Sequence, residues 1–159
     1  GGGLIGFDAH KRVDGTKIHA AVNEQSAPVA VAIGPADQHE GKMLIPMMES
    51  IRIEHRGKGR PRKNPKQVCG DTKYGMLLNR FYLDNRKIVS QIPSTAKRHR
   101  GRPRLFDKAT YKKVRYTVER FFAWTENFRK LTIRYERLAE TFSGLFHIAC
   151  IMILWRVLR

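Results

Sequence analysis

The stretch YKKVRYTVERFFAWTENFRKLTIR, residues 111–134, decides how the rest of the chain is read. It holds no Gly or Pro, and Val114, Val118, Phe121, Phe122, Phe128, Leu131 and, just beyond it, Tyr135 recur at helical steps. That spacing puts them on one face of an α-helix. Arg115, Glu119, Ala123 and Glu126 line a polar edge beside this stripe. Glu119 lies between a valine and two bulky aromatics that should fix the backbone beneath it. Two readings of it are open. It is either half of an Arg115–Glu119 pair on a solvated helix, worth only about 0.3–0.5 kcal/mol, or a carboxylate held in place for chemistry.

Working outward, 159 residues with 42% apolar content suit one α/β domain with a real core. The balance of 31 Lys and Arg against 14 Asp and Glu gives a net charge of +17, which predicts affinity for a polyanion, nucleic acid before an acidic membrane. Cys69 and Cys150 are far apart, with no CxxC, and read as small core residues in a reducing compartment. No signal peptide opens the chain, and the most apolar run, residues 145–155, is interrupted by His147 and too short to span a bilayer. The opening GGGLIGFD, with no Met, reads as cut from inside a longer protein.

In chain order, residues 1–16 read as loop. Residues 16–23 and 28–33 form strands joined by a turn, and a helix follows from His39 with Met43, Leu44, Met47, Met48 and Ile51 on one side. Pro46 within its first turns moves its true start later. Residues 67–70 make a short strand that delivers Asp71, then come a helix over 75–85 and a strand over 87–92. The central helix spans 106–138 and carries Glu119, and residues 140–159 form a last helix, apolar on most sides and so expected to be buried. This order predicts helices covering a mixed sheet.

Two basic loops interrupt the pattern, at 55–66 and 96–104. Both contain Gly-Arg-Pro-Arg, with Arg60 and Arg62 in the first and Arg102 and Arg104 in the second. That core resembles the AT-hook, in which a proline-fixed extended backbone slides arginines into a narrow A·T-rich minor groove. Plain phosphate contact is the other reading. Asp71, after a strand and before a helix, is either an N-cap or a ligand for a divalent metal held against a phosphate.

Taken together, the runs at 15–19, 35–39, 71–74, 118–124, 127–131 and 134–137 resemble the DDE transposases of bacterial and archaeal insertion sequences. The resemblance covers the chain from about residue 6 to its end. It implies a ribonuclease H-like mixed sheet flanked by helices, here lacking the first strand. Asp71 matches the family's second metal-binding Asp, Glu119 its metal-binding Glu, and Arg115 the arginine four residues before that Glu. Tyr111 precedes Arg115 by four positions, one more than the family's tyrosine. Glu126 stands where the family has a lysine, so Arg129 or Lys130 would take its DNA-contact role. His39-Glu40 matches the family's His-Asp.

The first metal-binding Asp of the family lies upstream of the region matched here, with Asp8 and Asp14 the nearby acids. The resemblance implies cleavage and strand transfer at insertion-sequence ends by two Mg²⁺ or Mn²⁺ ions, on transposon-end and target DNA. It further implies a homo-oligomer on DNA and a prokaryotic, cytoplasmic, nucleoid-associated location with no membrane partner. This chain alone is expected to be inactive. The rival reading is a non-catalytic DNA-binding remnant.

Overall fold

The computed structural model describes residues 4–9, 11–54, 57–94 and 106–159. The second basic loop, with Arg102 and Arg104, lies outside them. The chain is mixed α/β and divides into two compact units, one of residues 1–38 with 117–159 and one of residues 39–116.

The first unit is built on an antiparallel sheet in the order β1 (Gly6–Asp8), β2 (Val13–Val22), β3 (Pro28–Pro35). Here the reading of residues 1–16 as loop is corrected. Gly6 pairs with Gly15 and Asp8 with Val13. Between them the Arg12 N–H returns to the Asp8 carbonyl at 2.7 Å, and Arg12 takes a positive φ of 55°. A turn signal hidden in a charged stretch therefore extends β2 by three residues and adds a short edge strand. The β2–β3 turn falls where expected. The Asn23 side-chain oxygen accepts from the Gln25 and Ala27 N–H groups, each at 2.9 Å, which is the local bonding that favours Asn at turns.

Helix α3 (Lys108–Thr125) is shorter than the predicted 106–138, and the division between the units falls within it, between Tyr116 and Thr117. Its end has a local cause. The Thr125 hydroxyl donates to the Phe122 carbonyl at 2.7 Å, and the Asn127 amide donates to the Ala123 and Trp124 carbonyls at 3.2 and 3.3 Å. These side chains satisfy carbonyls that a continuing helix would have used. A single turn, α4 (Arg129–Thr132), follows, and Tyr135 beyond it is 75% exposed rather than part of the apolar stripe.

Helix α5 (Ala139–Leu158) closes this unit. Phe121, Phe146, Cys150 and Ile153 form its core, with Ile18, Ala20, Val22 and Val31 of the sheet packed against them. The Phe121 and Phe146 rings meet edge to face, 6.3 Å between centroids. The expectation that α5 is buried on most sides is corrected: only the face with Ala139, Phe142, Phe146, Ala149, Cys150 and Ile153 is covered, while Ile148, Ile151, Met152, Trp155 and Leu158 are exposed. One sheet can cover only one side of a helix. At 20 residues α5 is also long and apolar enough to cross a membrane by length and composition, which the shorter run 145–155 did not reveal.

The second unit begins with a 3₁₀ turn (Glu40–Met43) leading into α1 (Leu44–Ser50). Pro46 is third in α1, where its missing N–H has no helical partner to lose. Strands β4 (Gln67–Cys69) and β5 (Val89–Gln91) pair in parallel, and α2 (Leu77–Asn85) connects them. Met47, Met48, Ile51, Leu83, Ile88 and Ile92 are buried in this unit.

Candidate functional site

Asp71 leaves the end of β4 and caps the 3₁₀ turn Thr72–Tyr74. Its Oδ1 accepts from the Thr72 N–H at 2.6 Å and the Thr72 hydroxyl at 3.0 Å, and the residue is exposed. Both bonds fall on one oxygen, so capping leaves the second oxygen pointing away from those two partners. The N-cap reading is thus realised in the structure, and it holds an exposed carboxylate still.

The turn beneath Asp71 is tied to residues 39–41 by several bonds. Lys73 Nζ meets Glu40 Oε1 at 3.1 Å, and the His39 ring nitrogen Nδ1 accepts from the Gly41 N–H at 3.1 Å. Asn79, buried on α2, donates to the Gly41 carbonyl at 2.7 Å and the Tyr74 carbonyl at 3.0 Å. A Cβ at Gly41 would come within 2.7 Å of the Lys73 carbonyl, so only glycine permits this approach. Arg80, 9% exposed, donates to the carbonyls of Gly75, Ile92 and Pro93, joining the close of the 3₁₀ turn to the segment that follows β5. Burial raises the Tyr74 pKa, and the nearby Glu40 and Asp71 charges raise it further.

Glu119 stands exposed on α3 one turn after Arg115, also exposed. Thr117, Phe121 and Thr125 form the helix's buried line, so Phe121 of the expected stripe is buried while Val114, Val118 and Phe122 are half-buried. Arg129 and Lys130 open α4 and are exposed. Asp71 and Arg115 belong to the second unit, and Glu119, Arg129 and Lys130 to the first. Among the described residues, no group of three or more His, Cys, Asp or Glu side chains is placed to hold a metal ion. The carboxylates are suitable hard donors one by one. Asp8, a sequence candidate for a further ligand, uses Oδ1 to accept from the Lys11 N–H at 3.2 Å.

Arg60 and Arg62 are brought together, with Pro61, Lys63, Asn64 and Arg86, around an open concavity of about 470 Å³. Arg86 was not singled out from the sequence, and nothing in its neighbourhood marks it. It ion-pairs with Glu49, donates to Asn64 Oδ1 at 3.0 Å and lies 4.9 Å from the centre of the Tyr82 ring. The Tyr82 hydroxyl, donating at 2.8 Å, is the main reason that Glu49 titrates below its ordinary value.

The sequence matches the family described as Transposase DDE domain over residues 3–154. The chain belongs to this family. A Burkholderia cepacia protein, provisionally named as the transposase for insertion sequence element IS402, is 30% identical over 145 residues. That alignment takes in 91% of this chain but only 65% of the relative's length. No solved structure matches the DDE domain described here.

Proposed function

We propose that this DDE domain serves DNA transposition, on a ribonuclease H-like arrangement, with Asp71 and Glu119 as two of its metal-holding carboxylates. The observation that carries the reading is the family match across residues 3–154. The element order supports it, with three antiparallel strands followed by helix, strand, helix, strand and helix. In this reading the substrate is DNA at insertion-sequence ends and at the target, and the protein works as a homo-oligomer on DNA in the prokaryotic cytoplasm.

Mg²⁺ or Mn²⁺, when bound, would stabilise the charge that develops during displacement at phosphorus. The chain's own share is to hold two carboxylates and several cations on fixed backbone. Asp71 is pinned by its capped turn and by Asn79, and Glu119 by the helix that buries Phe121. Arg115, Arg129 and Lys130 offer phosphate contacts. A second reading is DNA binding without cleavage, which the net charge of +17 supports by itself.

Two measurements separate the readings. Fe²⁺ substituted for Mg²⁺, with hydrogen peroxide as oxidant and ascorbate as reductant, generates hydroxyl radicals that cut nearby backbone, so cuts close to residues 71 and 119 are expected, and Asp71→Asn should suppress both. Cuts at neither position would remove the metal role. In a cleavage assay on duplexes carrying element ends, Asp71→Asn and Glu119→Gln should each abolish any metal-dependent nicking while leaving duplex binding intact.

A further inference from the structure

The first basic loop is fastened on two sides. At Arg62 the backbone forms an isolated antiparallel bridge with Ile53: the Arg62 N–H donates at 2.8 Å and its carbonyl accepts at 3.0 Å. Two residues on, Asn64 accepts from Arg86, which Glu49 and Tyr82 hold in turn. Glu49 is therefore already engaged by Arg86 and by the Tyr82 hydroxyl. No carboxylate is among the described residues that line the concavity, and Arg60, Arg62 and Lys63 stand exposed around it.

We propose that this concavity docks the phosphate backbone of duplex DNA, and that the Gly-Arg-Pro-Arg segment at 59–62 works as a phosphate clamp, not as a minor-groove hook. A hook slides an extended segment into the groove, with both backbone edges clear of the rest of the protein. At Arg62 one edge is taken by Ile53, and the loop is drawn towards α2 through Asn64 and Arg86. What remains presented is a concave set of cations, beside which Glu49 is already engaged by Arg86 and the Tyr82 hydroxyl and also feels the Lys63 charge. That surface suits successive phosphate oxygens, which fix register and carry no sequence information. Arginine forks at two of the three exposed positions add bidentate contacts. The inference deepens the DNA-processing reading and rests on it for the choice of polyanion, but it requires neither metal nor catalysis.

The test is equilibrium binding of the full chain, in EDTA, to A·T-only and G·C-only duplexes of equal length across a salt series. Arg60→Ala, Arg62→Ala and Lys63→Ala should each weaken both duplexes alike and lower the salt slope by about 0.9 per lost contact. Arg62→Lys, which keeps the charge but not the fork, should weaken binding while preserving the slope. Far-UV circular dichroism of each variant should match the wild type, because the altered side chains are exposed. An A·T preference in the wild type that disappears in the Arg60→Ala, Arg62→Ala double variant would overturn the clamp in favour of the hook. Unchanged affinity and slope in the triple alanine variant would place the DNA face elsewhere, and tighter binding of an RNA duplex of the same sequence would overturn the choice of DNA. Because this assay is run in EDTA and reads binding alone, while the carboxylate reading is tested by iron-directed cutting and nicking, a failure of that reading is distinguishable from a failure of this one.

Discussion

Asn79 donates its side-chain amide to the Gly41 carbonyl at 2.7 Å across 38 positions of sequence. With its second bond, to Tyr74, it locks the turn that carries Asp71 against the entry to α1. Asn79→Ala should leave two carbonyls without this donor and cost about 1–3 kcal/mol in urea unfolding. Gly41→Ala should also destabilise, by overpacking against Lys73 and Met76. A midpoint unchanged in both variants would show that this turn is not fastened to residues 39–41.

In the other unit, Arg120 Nε donates to the Ser26 hydroxyl at 2.8 Å, where Ser26 is fully buried at a φ of 66°. Ser26→Ala and Arg120→Ala should each destabilise by about 1–3 kcal/mol. The double variant should lose less than the sum, since both remove one bond. Strict additivity in the cycle would mean that the bond contributes nothing.

The two faces of α5 should respond oppositely to substitution. Phe146→Ala opens a cavity under Phe121 and should cost about 3–5 kcal/mol. Trp155→Lys, at a position 74% exposed, should stay within about 0.5 kcal/mol in chemical denaturation. A large loss from Trp155→Lys would show that the outer face is covered in the protein as it exists in solution.

Burial pushes the Cys150 thiol up to about 11. A thiol with a raised folded-state pKa stays protonated in the folded chain while the unfolded chain has begun to ionise. Its stabilising contribution is therefore complete below the ordinary thiol range and is lost as pH rises through about 11. Unfolding measured from neutral pH upward should show a steeper decline for the wild type than for Cys150→Ala. Parallel declines would remove this linkage.

Much of the second unit was legible from local pattern. Met43, Leu44, Met47, Met48 and Ile51 announce the helix after His39, Pro46 shifts its start, and two short apolar runs announce β4 and β5. The family, too, was legible, because spaced runs such as 71–74 and 118–124 survive in order. Asp71's dual character was also visible in the chain, as an acid between a strand and a helix.

Other features depended on partners distant in sequence. Periodicity marks α5 as apolar, but only the extent of the sheet beneath it decides that Phe146 is covered and Trp155 is not. The end of α3, by contrast, was set locally: its stripe predicts a longer helix, yet Asn127 takes the carbonyls that would have continued it. Arg86 stacks on Tyr82 one turn earlier, but its hydrogen-bonding role comes from Glu49, 37 positions away, and Asn64, 22 positions away. A sequence displays the period of each element because neighbouring side chains share one backbone geometry. Which face is then buried, and which cation is held where, is decided by contacts between elements, and these leave no periodic trace in either partner.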